Sequence, residues 1–369
     1  MTKHSGVIVV GAGPAGIVAA IAARRHGLHA IVLDARMPPI DKPCGEGILP
    51  QGVSALRALG ISLPPESAFP FRGIRFVDEE HSACANFAGA TGFSVRRIKL
   101  HCLLVNHAIE AGVEFRWGAR VTQIDQTVVT TAKERLSYRW LIGADGQNSQ
   151  VRKWAGLDSR TIIRKRFGFC SHFQVKPWSD VAEVHWARGC QIFITPMTGQ
   201  EVGVAILSRD PGLRLEGALP LFPALAEKLR GALPTTRELG ETTSLRILPA
   251  VARGRVALIG DASGTVDAVT GHGLSLAFQQ AISLAEGMRQ DNLAPYQHAH
   301  KKISAVPNAM TRLMLLMGGN DWIRRRTIRL FQKTPGLFAR LLEIHSESMP
   351  LSSVSMGEIA GFGWKFLRA

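Results

Sequence analysis

Cysteine is scarce and unpatterned in this 369-residue chain: five residues, at 44, 84, 102, 170 and 190, with no CxxC pair. An odd, scattered set favours reduced thiols in a cytoplasmic protein over a disulfide framework. The twelve histidines are equally dispersed. His298 and His300 stand two apart with no Cys or carboxylate at ligand spacing, so no metal is assigned. Long apolar runs are missing too. Residues 5–23, preceded by Lys3, superficially resemble a secretory signal, but Gly11, Gly13, Pro14 and Gly16 break the run where an h-region is continuous. Elsewhere nothing supplies the ~18 apolar residues of a spanning helix, because Pro307 and Arg312 interrupt the best late candidate at 310–317. Acidic residues are few, 29 against 44 Lys plus Arg, giving a formal charge of +15. That excess favours polyanionic partners: phosphate-rich cofactors, anionic membrane, acidic proteins or nucleic acid. No nucleic-acid-binding motif or arginine-rich arm accompanies it, so nucleic acid is not expected. The 46% apolar and 20% charged content is that of a globular protein with a core and excludes collagen-like and disordered classes.

What is present begins at the N-terminus. Val7-Ile8-Val9-Val10 reads as a buried parallel strand. Gly11-Ala12-Gly13-Pro14-Ala15-Gly16 follows, then a helix of small and apolar residues over 17–26, with Gly27 at its C-terminal end. A second buried strand over 30–33 ends at Asp34, continuing into Ala35-Arg36. This is the full βαβ context in which GxGxxG binds a dinucleotide. Gly11 permits the tight turn, Gly13 admits a pyrophosphate close to the backbone, and Gly16 lets helix and strand pack. The helix N-terminus offers N–H donors to phosphate, and Asp34 can accept from a ribose hydroxyl.

Two later motifs choose the dinucleotide. Trp140-Leu141-Ile142-Gly143-Ala144-Asp145-Gly146, with Ser149 and Arg152, matches the second fingerprint of flavoprotein aromatic hydroxylases. Arg255-Val256-Ala257-Leu258-Ile259-Gly260-Asp261-Ala262 resembles the third, whose Asp holds the ribityl chain of FAD. Asp267-Ala268-Val269-Thr270-Gly271-His272-Gly273 then leads into a helical stretch beginning at Leu274. The chain thus resembles the FAD-dependent monooxygenase superfamily with the para-hydroxybenzoate-hydroxylase fold. Within it, Pro43-Cys44-Gly45-Glu46-Gly47-Ile48-Leu49-Pro50 is similar to segments of the geranylgeranyl reductase and flavin-dependent halogenase branch. Position 268 is Ala where that branch has Pro. The halogenase tryptophans are absent around Gln191-Ile192-Phe193-Ile194-Thr195-Pro196, and no Lys lies between Lys42 and Lys99; halogenation is disfavoured.

The resemblance implies an α/β (α+β) fold: a Rossmann-like FAD-binding domain from 1–69, 95–160 and 247–300, a substrate domain from 70–94 and 161–246, and a helical region over 301–369. Residues 167–175, 182–187, 191–195 and 201–207 alternate like antiparallel strands, 219–229 reads as a helix, and 103–111 as a helix inside the FAD domain. Non-covalent FAD is expected to contact the first turn, Asp34, Ala35, Arg36, Gly45, Arg97, Val121, Asp145, Gly260, Asp261, Gly271, Gly273 and Leu274. No second GxGxxG unit exists, so NAD(P)H would bind transiently.

The reading favoured by these motifs is an NAD(P)H-dependent monooxygenase that hydroxylates a medium-sized apolar or aromatic metabolite with O2, through a flavin C4a-hydroperoxide. A flavin-dependent reductase of C=C bonds is the alternative. Phe193, Thr195 and Pro196 are substrate-pocket candidates; Glu46, Cys44 and His272 are the candidates for catalysis. Each also has a plainer reading, as a loop carboxylate held by amides, a small loop filler and a structural imidazole. In the tail, residues 321–331 read as an amphipathic helix whose Trp322, Leu330 and Phe331 pack on the FAD domain. Its arginines would be solvated, or would meet an anionic membrane surface or an acidic carrier protein.

Overall fold

A computed structural model describes residues 5–158 and 162–350, with isolated positions 353, 357 and 366; the side chains of 5 and 162–164 fall outside that description. The remainder of the tail read as helical, 351–369, lies outside it too. The fold is mixed α/β, built on two large sheets and a small third one.

The β-branched run Val7–Val10, within strand Ser5–Val10, is buried and forms the middle of a largely parallel sheet. Across that sheet the order is Ala252–Arg253, Val256–Leu258, Arg135–Gly143, Ser5–Val10, Ala30–Asp34, Glu114–Trp117. Val10 pairs with both Leu33 and Gly143, and Gly143 pairs with Leu258. Four chain segments that are far apart in sequence therefore end side by side. Helix Pro14–Arg25 packs on this sheet, and helix Gly273–Arg289 packs on that helix in turn. The first is rich in Ala and carries Gly16, which permits close approach. A Cβ on Gly16 would lie 1.9 Å from the Gly11 carbonyl oxygen. The helix read over 103–111 begins earlier, at Arg97, and runs to Glu110.

In the second sheet Leu233–Pro234, Ile162–Gln174, Glu201–Ser208, Cys190–Thr198, Ala182–Ala187, Gly73–Val77 and Ser82–Asn86 follow in order, and Leu239–Arg246 also pairs with Ile162–Gln174. Its strands carry the expected alternation. Ile192, Ile194, Val204 and Ile206 join Phe222 and Leu225 beneath one face, while Val184, Ala205 and Leu207 look into a cavity on the other. The helix read over 219–229 divides into Leu215–Ala218, the 3₁₀ turn Leu219–Leu221 and Pro223–Lys228, because Pro220 and Pro223 each start a new turn. The third sheet, Gly47–Ile48, Gly92–Ser94 and Phe69–Phe71, pins the Cys44–Gly47 loop between the larger two.

Three helices follow, Ala294–Gly319, Asp321–Lys333 and Pro335–His345, broken at Gly318-Gly319 and at Pro335-Gly336. The tail face differs from the sequence reading. Helices Asp321–Lys333 and Pro335–His345 pack on strand Ser82–Asn86 of the second sheet, and the end of the last helix also meets segments read as FAD domain, the His345 carbonyl accepting from Gln51 and His272. Phe331 stacks on Phe338 with centroids 4.7 Å apart. Trp322 is 53% exposed, whereas Arg324 is buried and donates to Asp321 at 2.6 Å. Arg325 pairs with Glu79 at 2.6 Å, and Arg326 lies over the Trp322 ring at 4.8 Å. The three arginines are thus distributed between core, ion pair and ring stack and do not form one solvated cationic face. A helical wheel drawn from sequence could not show this, because Glu79 and Glu80 come from a hairpin in another part of the chain. Among the described residues, no helix is long and apolar enough to cross a membrane.

Candidate functional site

The register of the parallel sheet brings the three glycine motifs to one edge. Gly11, Asp34, Ala144-Asp145 and Gly260 all lie just beyond carboxyl ends of adjacent strands, where open α/β sheets bind their ligands. A cavity of about 660 Å³ opens there. Every expected cofactor residue except Ala12 and Gly16 borders it, as do Glu46, Cys44, Phe193 and Thr195. Pro196 does not; its carbonyl accepts from the Ser94 hydroxyl and so holds the third sheet to the second.

The glycines divide into two groups by what a side chain would meet. On Gly11 a Cβ would stand 2.3 Å from the Ala144 carbonyl oxygen, so Gly11 and Gly16 serve the fold itself. At Gly13, Gly45, Gly271 and Gly273 a Cβ would meet no protein atom within 4 Å, and all four border the cavity. Bare backbone is thus presented to open space from three separate loops. Helix Pro14–Arg25 starts at Gly13 and helix Gly273–Arg289 at His272, both without a side-chain cap, so their first N–H groups remain for a ligand.

Polar groups converge on the same space. Asp34 accepts from the Ala12 and Arg36 amides, each at 2.8 Å, and is fixed at the end of its strand. His101, unremarked in the sequence, locks the first turn from behind. Its Nε2–H donates to the Ala12 carbonyl at 3.0 Å, its Nδ1 accepts from the Ile40 amide at 3.4 Å, and burial lowers its pKa. The signal available was its position one turn after Arg97 on the same helix. Arg97 is buried with Nη1 lacking a partner among the described residues, and burial pulls its pKa below the usual value. A buried guanidinium bordering a cavity suits an acceptor-rich ligand. Asp261 faces the cavity, and burial raises its carboxyl pKa while Lys42 opposes the shift. An open carboxylate suits ligand hydroxyls. These features fit FAD: phosphates at the uncapped turns, hydroxyls at Asp34 and Asp261, and acceptors at Arg97.

Asp145 lies at the cavity through its backbone turn, while its carboxylate caps helix Gln150–Trp154. It accepts from Ser149 Oγ at 2.5 Å and from the Gln150 and Val151 amides at 2.7 and 3.1 Å. Arg152, buried, ties the second motif to the third by donating to the Gln147 and Ala262 carbonyls. Ala268, where the related branch has proline, uses the N–H that proline lacks to donate to Thr243 Oγ1 at 3.0 Å. Asp267 caps the same turn at the Val269 amide and pairs with buried Arg166 at 3.0 Å. Hydrogen bonds hold this loop in place of a ring.

Among the catalytic candidates, Glu46 sits in the left-handed region, φ 59°, and is buried. Its Oε1 accepts the first helical N–H, that of Arg97, at 2.6 Å, and its Oε2 accepts from His172 Nε2 at 2.5 Å. His172 Nδ1 meets Thr236 Oγ1 at 2.9 Å, half-exposed at the sheet's outer side. His172 lies on the strand at i+2 from Cys170 and i+4 from Gly168, which both border the cavity; that alternation was the readable signal. Cys44 lines the cavity, its Sγ accepts from the Glu46 amide at 3.2 Å, and burial raises its pKa against the pull of Arg97. His272 departs from its catalytic candidacy. It does not border the cavity; its Nε2–H donates to the His345 carbonyl at 2.9 Å, and burial pushes its pKa down to about 4. It fastens the motif loop to the tail.

A family described as "FAD binding domain" matches residues 4–203. The chain is 27% identical over 322 residues to menaquinone reductase of Mycobacterium tuberculosis, covering 78% of this chain and 77% of that one. It is 26% identical over 336 residues to para-nitrophenol 4-monooxygenase of a Pseudomonas species, covering 78% of each. Among solved structures, a triple mutant of the flavin-dependent brominase Bmp2 superposes with TM-score 0.81 over 98% of this chain and all of that one, at 16% identity, a likeness of fold alone. The match across more than half of the chain, which includes the Gly13 and Gly45 turns at the cavity, places this protein in the FAD-binding-domain family of FAD-dependent oxidoreductases.

Proposed function

We propose that this protein is an NAD(P)H-dependent monooxygenase acting on a medium-sized, largely apolar or aromatic metabolite. The observation that carries this reading is the far part of the cavity. There Phe71, Phe76, Met314, Met317, Phe331 and Phe338 form an apolar chamber closed by the tail helices. Oxygen transfer needs such exclusion of water more than simple reduction does. Bound FAD, reduced by a nicotinamide and exposed to O2, supplies the oxygen-transfer chemistry. The chain's own groups do the rest. Gly13, Gly271 and Gly273 admit the cofactor, Arg97 and Asp261 orient it, and the chamber positions the substrate. Glu46 Oε2, His172 Nε2 and Thr236 Oγ1 form a line along which a proton can pass between the cavity and the half-exposed edge.

A second reading, a flavin-dependent reductase, is favoured by Cys44: burial keeps its thiol protonated at the cavity, so it can donate a proton to carbon, and several relatives, menaquinone reductase among them, are reductases by name. The two separate on product mass. With NADH or NADPH, air and a panel of apolar phenols and quinones, the flavin should bleach and the product should gain one oxygen as O2 is consumed. Gain of two hydrogens under nitrogen, with no oxygen in any product, would hand the assignment to the reductase. For the proton line, His172→Phe should keep its flavin yet turn over substrate about 10²-fold more slowly and flatten the pH profile. An unchanged profile would remove His172 from the reaction.

A further inference from the structure

Charge is confined to one side of the cavity. The charged residues that border it, with one exception, come from the strand ends and loops of the FAD-binding side, between Asp34 and Asp145 and at Asp261. The exception is Glu241 of the second sheet, which is held towards that side by Lys42 at 4.0 Å and by Gln147 at 3.1 Å. Among the described residues, the rest of the second sheet and the three C-terminal helices bring no charged side chain to the cavity. Their two titratable groups there are neutral near pH 7. Burial pushes the Cys170 thiol up to about 12. Burial and the neighbouring His272 hold His345 well below the usual histidine range. The Thr195 hydroxyl is engaged, donating to the Gly45 carbonyl at 3.1 Å.

Cations carried by the same sheet and helices do not border the cavity and are paired elsewhere. Arg75 meets Glu183 at 2.9 Å, Arg166 meets Asp267 at 3.0 Å, and Arg324 meets Asp321 at 2.6 Å. An ion entering the chamber between Phe76, Phe193, Met317 and Phe338 would therefore lose its hydration and find no counter-charge. The chain's +15 charge draws anions to its surface, but that long-range attraction does not replace a partner inside. Attraction to the surface and admission to the chamber thus have opposite preferences.

We propose that the chamber admits uncharged molecules and rejects ions of either sign, so that the substrate is a neutral compound such as a phenol, quinone or ketone and not an aromatic acid or amine of the same size. This deepens the proposed function and rests on it only in placing the substrate in this chamber. An apolar wall by itself still suits an apolar body that carries an acid group, provided one cation waits for that group. The absence of such a cation on the second-sheet and C-terminal walls is what removes this class.

The test titrates the FAD-loaded protein calorimetrically, near neutral pH, with 2-acetonaphthone and with 2-naphthoate. The two share a ring system and are close in size, and they differ in charge. The wild type should bind the ketone at least about 30-fold more tightly than the carboxylate. Phe193→Lys, which places an ammonium on the chamber wall at a half-buried position, should raise naphthoate affinity at least about tenfold and weaken binding of the ketone. Equal binding by the wild type, tighter binding of the carboxylate, or no binding of the ketone overturns the proposal. So does a folded Phe193→Lys protein whose naphthoate affinity is unchanged. If that variant fails to fold, the wild-type comparison decides. Turnover of the ketone is scored separately: gain of two hydrogens in place of oxygen would sink the oxygenation reading, while the binding preference still decides the charge rule.

Discussion

A Gly13→Val protein is expected to fold normally and to purify without flavin. Gly13 has φ −74° and ψ 173°, an extended conformation open to any residue. A Cβ there meets no protein atom within 4 Å. The fold therefore does not need glycine at this position. Only a ligand lying against the uncapped helix N-terminus does, and an isopropyl group would occupy that ligand's space. FAD affinity should fall at least ~100-fold, or about 2.7 kcal/mol, while the urea midpoint of the apoprotein stays at the wild-type value. Gly16→Ala is the contrasting control. Its methyl group would sit 1.9 Å from the Gly11 carbonyl oxygen and 3.1 Å from Ala144 Cβ, so overpacking should destabilise the apoprotein itself by about 1–3 kcal/mol. Absorbance ratios and denaturation curves on the two variants separate ligand room from packing. If Gly13→Val retains stoichiometric FAD, the cradle has been placed wrongly.

The second large effect is expected at Asp267. Its Oδ1 accepts from Arg166 Nη1 and from the Val269 amide, both at 3.0 Å, and both side chains of the pair are buried. Arg166 also donates to Gln191 and to the Leu207 carbonyl, which fixes it to the second sheet. Asp267→Ala leaves a buried guanidinium without its counter-charge, a change that typically removes about 3–5 kcal/mol of stability. Replacing both members, Arg166→Leu with Asp267→Asn, should recover much of that loss, because neither charge is then stranded. The loop carrying Ala268 and Gly271 should lose order in the single variant, so flavin should be released at lower urea than global unfolding. A single variant as stable as the wild type would show that the pair is not what holds the loop.

The fold was legible where local pattern and chemistry coincide. The run at Val7–Val10, the three glycine turns and the alternation through Ala182–Ala187 each announce their element, and the parallel register then follows from crossover topology. The cradle was legible for the same reason, since ligand room at a strand end demands glycine. Partners set by tertiary contact were not. Glu46 looks like a loop carboxylate until His172 arrives from a strand 126 residues away. Arg324 looks solvated until the tail turns onto strand Ser82–Asn86 and buries it. His272 seemed to aim at the flavin because it lies between two cavity glycines; the burial of the tail turns it the other way. His345 carried no sequence signal, because only the packing of the last helix brings it to the cavity.

The central claim is that these strand ends hold FAD without a covalent bond. Acid precipitation of the freshly purified protein tests it most directly. The account predicts a yellow protein whose flavin passes wholly into the supernatant and is identified there by mass as FAD, equimolar with the chain. Colourless protein that does not take up added FAD, or flavin that stays with the pellet, would contradict it.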